Sequence, residues 1–173
     1  MTTDKPNPVG RKYVIMGVTG CGKSTIGSLL ARQLGAQFLD GDDLHPAANI
    51  AKMSAGQPLN DADRAPWLDR IGQRLGAVDG AVIMACSALK QSYRDRIRDQ
   101  AGCPVTFLLL QGSRAVIESR MALRAGHFMP TSLLDSQFAT LEPFSAAESF
   151  VVVDIDQSAA AIVAALSAQI AQE

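Results

Sequence analysis

Cysteine is scarce in this chain. The three present, Cys21, Cys86 and Cys103, are odd in number and widely scattered, and no pair has the spacing of a metal site. A disulfide framework is therefore excluded, and the pattern fits a reducing compartment. An excess of charge of either sign is also missing. Lys plus Arg is 16 against 17 Asp plus Glu, a formal net charge of −1. That balance argues against a general nucleic-acid binder, which carries a basic stripe. It leaves room for a small anionic ligand held by a few local cations. Long hydrophobic runs are absent too. The longest uncharged apolar stretch, Gly80 to Leu89, falls well short of the roughly 18–20 residues of a membrane span. Met1 to Arg11 is polar, contains Pro6 and Pro8 and has no apolar segment of the secretory kind. It reads as a flexible leader. The expectation is a cytoplasmic protein with no membrane and no nucleic-acid partner.

What is there is an apolar chain of ordinary domain size. Its 173 residues are 47% hydrophobic, enough for one domain that buries about 70% of the surface its unfolded chain exposes. Such a domain is expected over residues 12–173. Short β-rich runs alternate with helical patterns along it. Lys12–Met16, Gln37–Asp40, Ala81–Ala85, Val105–Leu110 and Phe150–Asp154 read as strands. Lys23–Leu34, Pro46–Ala55, Asp61–Val78, Leu89–Gln100, Ser113 to about Arg124, Thr131 to about Leu141 and Ser158–Ala171 read as helices. Ser87 is the expected cap of the fourth of these, and Ser113, Thr131 and Ser158 of the last three. Apolar strands separated by helices predict βαβ units: an α/β fold of three layers around a five-stranded parallel sheet. Ligands of such sheets bind beyond the carboxyl ends of the strands, so the residues following each strand are the ones to inspect.

After the first strand comes Gly17-Val18-Thr19-Gly20-Cys21-Gly22-Lys23-Ser24, followed by Thr25. This is G-x-x-x-x-G-K-[ST] in its required context, a strand before and a helix after. Glycines let the backbone N–H groups of such a loop converge on phosphate oxygens, and the helix adds the positive end of its dipole. Lys23 reaches the β- and γ-phosphates and Ser24 offers its hydroxyl to Mg²⁺. Cys21 fills a variable position and is assigned no catalytic role. None of the lysines is followed two residues later by Asp, so the guanine-reading [NT]-K-x-D signature is missing and a GTPase switch is disfavoured. The Asp-x-x-Gly matches at Asp69 and Asp99 fall in helical stretches.

The acids of interest follow the second strand, in Asp40-Gly41-Asp42-Asp43. One can hold the metal and another can orient a substrate hydroxyl for phosphoryl transfer. Gly41 lets backbone approach the ligand, and Asp43 is the cap candidate for the next helix. Asp154 ends an apolar strand, but that strand is expected at the sheet edge, away from the metal.

At this point the chain resembles a known family. Asp40-Gly41-Asp42-Asp43-Leu44-His45-Pro46, Asn49 to Met53, Gly56 to Leu68, Cys86 to Lys90 with Tyr93-Arg94-Asp95, and Gly126-His127-Phe128-Met129 are similar to the small P-loop gluconokinases. These are relatives of shikimate and nucleoside monophosphate kinases. The resemblance runs from about Tyr13 to Gln157, and Asp40 to Leu68 is its most specific part. It implies ATP and Mg²⁺ as cofactors, D-gluconate as the phosphoryl acceptor, a homodimer, and a lid over about residues 121–131. It implies Asp42 beside the accepting hydroxyl and Asp40 with Ser24 at Mg²⁺. Arg64, Lys90, Arg94 and His127 are its candidates for the anionic substrate. Lys23 with Arg120 and Arg124, the latter two on one face of a helix leading to the lid, would neutralise the transferring phosphoryl. Trp67 and Met53 read as core, His45 as a residue that orients the acidic turn, and Asp156 and Gln157 as weak candidates on the adenine side. Two readings stay open beside this one. A kinase for another small acceptor, such as shikimate or a nucleotide, would differ in acceptor choice. An ATP-dependent binding module would show no acceleration by any sugar acid.

Overall fold

The computed structural model describes residues 10–123 and 131–173. The leader expected over residues 1–11 therefore lies, for 1–9, outside the described residues, as does most of the expected lid. Five strands are present: β1 (Lys12–Met16), β2 (Gln37–Asp40), β3 (Val82–Ala85), β4 (Val105–Gln111) and β5 (Ser149–Asp154). Among the described residues seven α-helices accompany them: α1 (Lys23–Leu34), α2 (Ala47–Ser54), α3 (Asp61–Ala77), α4 (Gln91–Ala101), α5 (Arg114–Ala122), α6 (Thr131–Thr140) and α7 (Ala159–Ile170). A 3-10 helix, Gly41–Leu44, joins β2 to the His45-Pro46 step.

The sheet is parallel throughout, in the order β2-β3-β1-β4-β5. β1 is central, with Val14 opposite Met84 on one side and Phe107 on the other. Alternation along β1 explains the layers. Tyr13 and Ile15 face a core completed by Ile26 and Leu30 of α1 and by Ile162 and Leu166 of α7. Val14 and Met16 face the opposite core, built with Leu68, Ile71 and Leu75 of α3 and Ile97 of α4. With both faces covered, the inner strands carry apolar residues at consecutive positions, which is why they read as continuous runs. With β2 at the other side, β5 is one of the two edge strands. Its Phe150 and Val152 remain partly exposed, with Phe144 stacked on Phe150 at 4.2 Å.

Caps locate several of the helices. Ser113 and Ser158 accept from Val116 N–H and Ala161 N–H, as their sequence positions predict. Ser87 does not cap α4: that helix starts at Gln91, after an extended Lys90 that makes no side-chain cap. Asp43 does not cap α2 either, since Pro46 takes that position without a side-chain bond. The capping oxygen of the acidic turn belongs to Asp40, whose Oδ1 accepts from Asp42 N–H at 3.0 Å. α3 opens with a reciprocal capping box between Asn60 and Asp63, an arrangement in which the Asn60 side chain alone contributes about 1 kcal/mol.

Candidate active site

The carboxyl ends of β1, β2 and β3 open into a cleft of about 430 Å³, a volume suited to a small-molecule ligand. Its floor is the loop after β1. Gly22, the residue before α1, has φ +99°, a left-handed conformation that glycine adopts without steric cost. This bend turns the loop into the start of the helix. Thr19, Gly20, Gly22, Lys23 and Ser24 line the cleft. Gly17, Val18 and Cys21 are buried beneath it and Thr25 is exposed on α1. The Lys23 ammonium donates to the carbonyls of Gly17 at 3.0 Å and Val18 at 3.2 Å. Burial raises the Cys21 thiol above its usual value despite Lys23 nearby, which agrees with its lack of a catalytic assignment. Cys86, wholly buried, is pushed up to about 12.

Asp40 and Asp42 stand on the opposite wall of the same cleft. The Asp42 side chain is 83% exposed, toward the open cleft, and partial desolvation by the cleft walls together with the Asp40 carboxylate beside it shifts its pKa upward. A carboxylate raised in this way accepts a proton more readily. Gly41 between them has a different role from the one its sequence suggests. A Cβ there would sit 2.5 Å from the Ala85 carbonyl. The glycine lets the acidic turn lie against the end of β3. Trp67 is core, as expected, and it also lines the cleft and donates its Nε1–H to the Gly41 carbonyl at 2.8 Å. Met53 departs from its core assignment: it is 43% exposed and lines the cleft.

Arg64 projects from the first turns of α3 into the cleft wall. Its Nη1 donates to the Tyr93 hydroxyl at 3.3 Å. Tyr93 in turn donates to Asp61 Oδ1 at 2.5 Å, and Lys90 Nζ donates to Asp61 Oδ2 at 3.1 Å. These bonds from Tyr93 and Lys90 hold the Asp61 carboxyl below its usual range. Lys90 is therefore paired with Asp61 and is not itself among the residues lining the cleft.

Two candidate residues are placed elsewhere. Arg94 is fully buried and does not reach the cleft. Its guanidinium is consumed by Glu148, with Nε to Oε1 at 2.6 Å, and by the carbonyls of Ala88, Leu89, Glu142 and Pro143. With every donor engaged it is a structural anchor, which corrects the expectation that it meets substrate. It steadies the loop after β3, where Ala88 adopts φ +46°, an uncommon conformation for a residue with a Cβ. Arg120 is not among the residues lining the cleft, and one edge of its guanidinium is held at the turn after β5. Its guanidinium donates to the carbonyls of Ile155 and, at 3.1 Å, Gln157, tying the end of α5 to the turn after β5. Asp156 and Gln157 lie exposed in that turn, where Gln157 Nε2 donates to the Asp154 carbonyl. Arg124 and His127 fall outside the described residues.

One cleft residue escapes sequence reasoning. Gln137 of α6 lines the site and accepts from Thr19 N–H through Oε1 at 2.6 Å. A polar residue in a helix that carries no motif, 118 positions from its partner, leaves no local signal.

Ser24 and Asp40 suit a hard divalent cation. Among the described residues no cluster of three or more His, Cys, Asp or Glu could form an all-protein metal cage. A hydroxyl and a carboxylate beside a phosphate-binding loop match the way Mg²⁺ is held, with few protein ligands and with phosphate oxygens and water completing the shell.

Comparison with known proteins bears on this cleft. Residues 13–144 match a family model described as an AAA domain. The thermoresistant gluconokinase of Escherichia coli (strain K12) is 49% identical over 157 residues, covering 88% of this chain and 89% of that protein. The gluconokinase of Gluconobacter oxydans (strain 621H) is 51% identical over 136 residues, 76% of this chain and 75% of that one. The crystal structure of a gluconokinase from Sinorhizobium meliloti 1021 superposes with a TM-score of 0.85 at 46% identity, covering 96% and 95% of the two chains.

Proposed function

The chain belongs to the gluconokinase family, and from that premise we infer how its cleft transfers the γ-phosphoryl group of ATP to the 6-hydroxyl of D-gluconate. The products are 6-phospho-D-gluconate and ADP, and the reaction feeds sugar-acid catabolism. The observation that supports the residue roles is the convergence of Lys23, Ser24, Asp40, Asp42 and Arg64 on one cleft at the carboxyl ends of the strands.

ATP phosphates lie on the loop after β1, where backbone N–H groups and Lys23 meet their charge. Ser24 and, through its shell, Asp40 would hold Mg²⁺, which would supply charge neutralisation at the phosphates. Gluconate enters between Asp42 and Arg64, and the Arg64 guanidinium receives its carboxylate, with Lys90 adding positive charge at the rim. Asp42, on the cleft wall, orients the 6-hydroxyl and accepts its proton. Arg124 and His127 remain the proposed lid contributions, Arg124 to the transferring phosphoryl and His127 to the substrate. A homodimer and a cytoplasmic place of action belong to the same proposal. No helix among the described residues is long and apolar enough to cross a membrane.

The test is ADP release from Mg-ATP with D-gluconate, shikimate, a nucleoside monophosphate or no acceptor. Release driven by gluconate, with 6-phosphogluconate formed in equal amount, is expected. Release that no acceptor stimulates would overturn the assignment. For the residue roles, Asp42→Asn should lower kcat by about 10²–10⁴-fold while ATP affinity, read by calorimetry, stays near wild type.

A further inference from the structure

Beneath Asp42 lies a polar arrangement that phosphoryl transfer as derived above does not use. Lys12, Asn49, Arg94 and Glu148 are the buried polar or charged residues among those described. Lys12 is satisfied by the carbonyls of Val78 and Gly80, and Arg94 with Glu148 forms the anchor already described. Asn49, 4% exposed, is different, because its amide faces the active-site wall. Its Nδ2 donates to the Asp63 carbonyl at 3.0 Å and lies 3.3 Å from His45 Nδ1.

Those two contacts determine the state of the histidine. A backbone carbonyl only accepts, so the Asn49 atom facing Asp63 is the amide nitrogen and not the oxygen. The same nitrogen faces His45 Nδ1, so Nδ1 accepts. A neutral imidazole whose Nδ1 accepts carries its proton on Nε2. Burial lowers the His45 pKa below its usual value, which keeps the ring neutral. The ring is held flat as well. It stacks on Trp67 with centroids 4.2 Å apart and planes 13° apart, and Trp67 is itself bonded to Gly41, the residue before Asp42. Nε2 lies 4.0 Å from Asp42 Oδ1. That exceeds a hydrogen bond, but catalytic contacts in ligand-free enzymes commonly tighten when substrate binds.

We propose that Asn49 fixes His45 as the Nε2–H tautomer, and that His45 donates this N–H to one oxygen of Asp42, turning the other toward the accepting hydroxyl of the substrate. His45 and Asn49 are positioning residues, and the proposal rests on Asp42 being the group that takes the hydroxyl proton. In that step the substrate O–H bond breaks and its proton passes to Asp42. The freed oxygen forms a bond to the γ-phosphorus, and the bond from that phosphorus to the bridging oxygen breaks to release ADP. The proton then leaves Asp42 to water. His45 keeps its own proton throughout.

The chain has two histidines, His45 and His127, so the tautomer can be read by ¹⁵N-edited imidazole NMR of the full chain. The resonances lost in His45→Phe supply the assignment. The expected result is an Nε2–H form for His45 in wild type and a mixture of tautomers in Asn49→Leu. In steady-state kinetics, His45→Phe keeps the ring on Trp67 but removes the donor. It should lose about 10–100-fold in kcat, the scale of a hydrogen bond to a charged group, with KM for gluconate changed by less than about 3-fold. His45→Gln, which restores an N–H near the Nε2 position, should recover most of that loss. An Nδ1–H or a protonated His45 at neutral pH overturns the proposal. So does a rise in KM at unchanged kcat, which would make His45 a substrate contact instead. Wild-type kcat in His45→Phe with Asp42→Asn inactive overturns the positioning role while leaving Asp42 in place. Wild-type turnover in Asp42→Asn overturns the Asp42 reading itself, and the tautomer, measured without substrate, tells that failure apart.

Discussion

Arg64 and Arg94 occupy early turns of neighbouring helices, α3 and α4, on the same side of the sheet, and are bound in opposite ways. Arg64 keeps 33% of its side chain exposed and has one hydrogen bond, to Tyr93, among the described residues. Arg94 has no exposed surface and is engaged by a carboxylate and by carbonyls from two separate loops. The difference lies in unspent donors. A guanidinium with N–H groups left over beside a cleft is available to a carboxylate that arrives later. One whose N–H groups are all taken holds the protein together, and its charge is tolerable inside only because Glu148 is there.

The strongest way to break this contrast is Arg94→Met. It strands Glu148 inside the protein, and we expect a loss of about 3–5 kcal/mol in unfolding free energy by urea titration. The surviving folded fraction should keep the wild-type KM for gluconate. Replacing both partners, Arg94→Met with Glu148→Met, should recover only part of the loss, because the carbonyls of Ala88, Leu89, Glu142 and Pro143 still lose their donors. Full recovery would mean that the ion pair alone matters.

The second arm is Arg64→Met. KM for gluconate should rise about 10–100-fold, as expected for one charge-assisted interaction, and stability should move by less than about 1 kcal/mol. The reverse outcome, lost stability at unchanged KM, would place Arg64 with Arg94.

Acid sharpens the anchor more gently. Burial pushes the Glu148 carboxyl up, but the Arg94 hydrogen bonds and the Ser145 N–H outweigh it, so its pKa lies below the usual value. The associated stability is fully present above the unfolded value of about 4.3 and is lost as pH falls through the lower native value. Below about pH 4.3, wild type should therefore lose stability more steeply than Glu148→Gln. Parallel acid curves would remove Glu148 as the titrating anchor. The smallest effect belongs to Tyr93→Phe. It removes the hydroxyl between Asp61 and Arg64, and KM should rise only several-fold, about 1 kcal/mol.

The same pair shows how far the sequence carries. The alternation of strands and helices, the phosphate loop and the acids after β2 are local signals, and each is found where its neighbours in sequence put it. Arg64 enters through the family resemblance, and the Asn60–Asp63 cap that fixes the start of α3 sets it on the cleft wall. Arg94 sits beside an equally suggestive motif, but its fate depends on Glu148, 54 residues later, and no local pattern announces a buried carboxylate. Gln137 escapes notice, and Met53 is read as core, for the same reason: each gains its place from packing between distant elements. Gly41 is conspicuous in the sequence for one purpose and required in the fold for another, since its constraint is the Ala85 carbonyl across a strand pair.

Because β1 is the middle strand, the earliest strand to be synthesised is flanked by the third and fourth. Its partners, Val82–Ala85 and Val105–Gln111, leave the ribosome long after it does. At about 5–20 residues per second, the roughly 100 residues between β1 and the end of β4 take about 5–20 s to make. Until β3 emerges the apolar Tyr13–Met16 run has two unpaired edges, and until β4 emerges it keeps one. A nascent chain in this state is open to chaperones and to strand pairing with other chains.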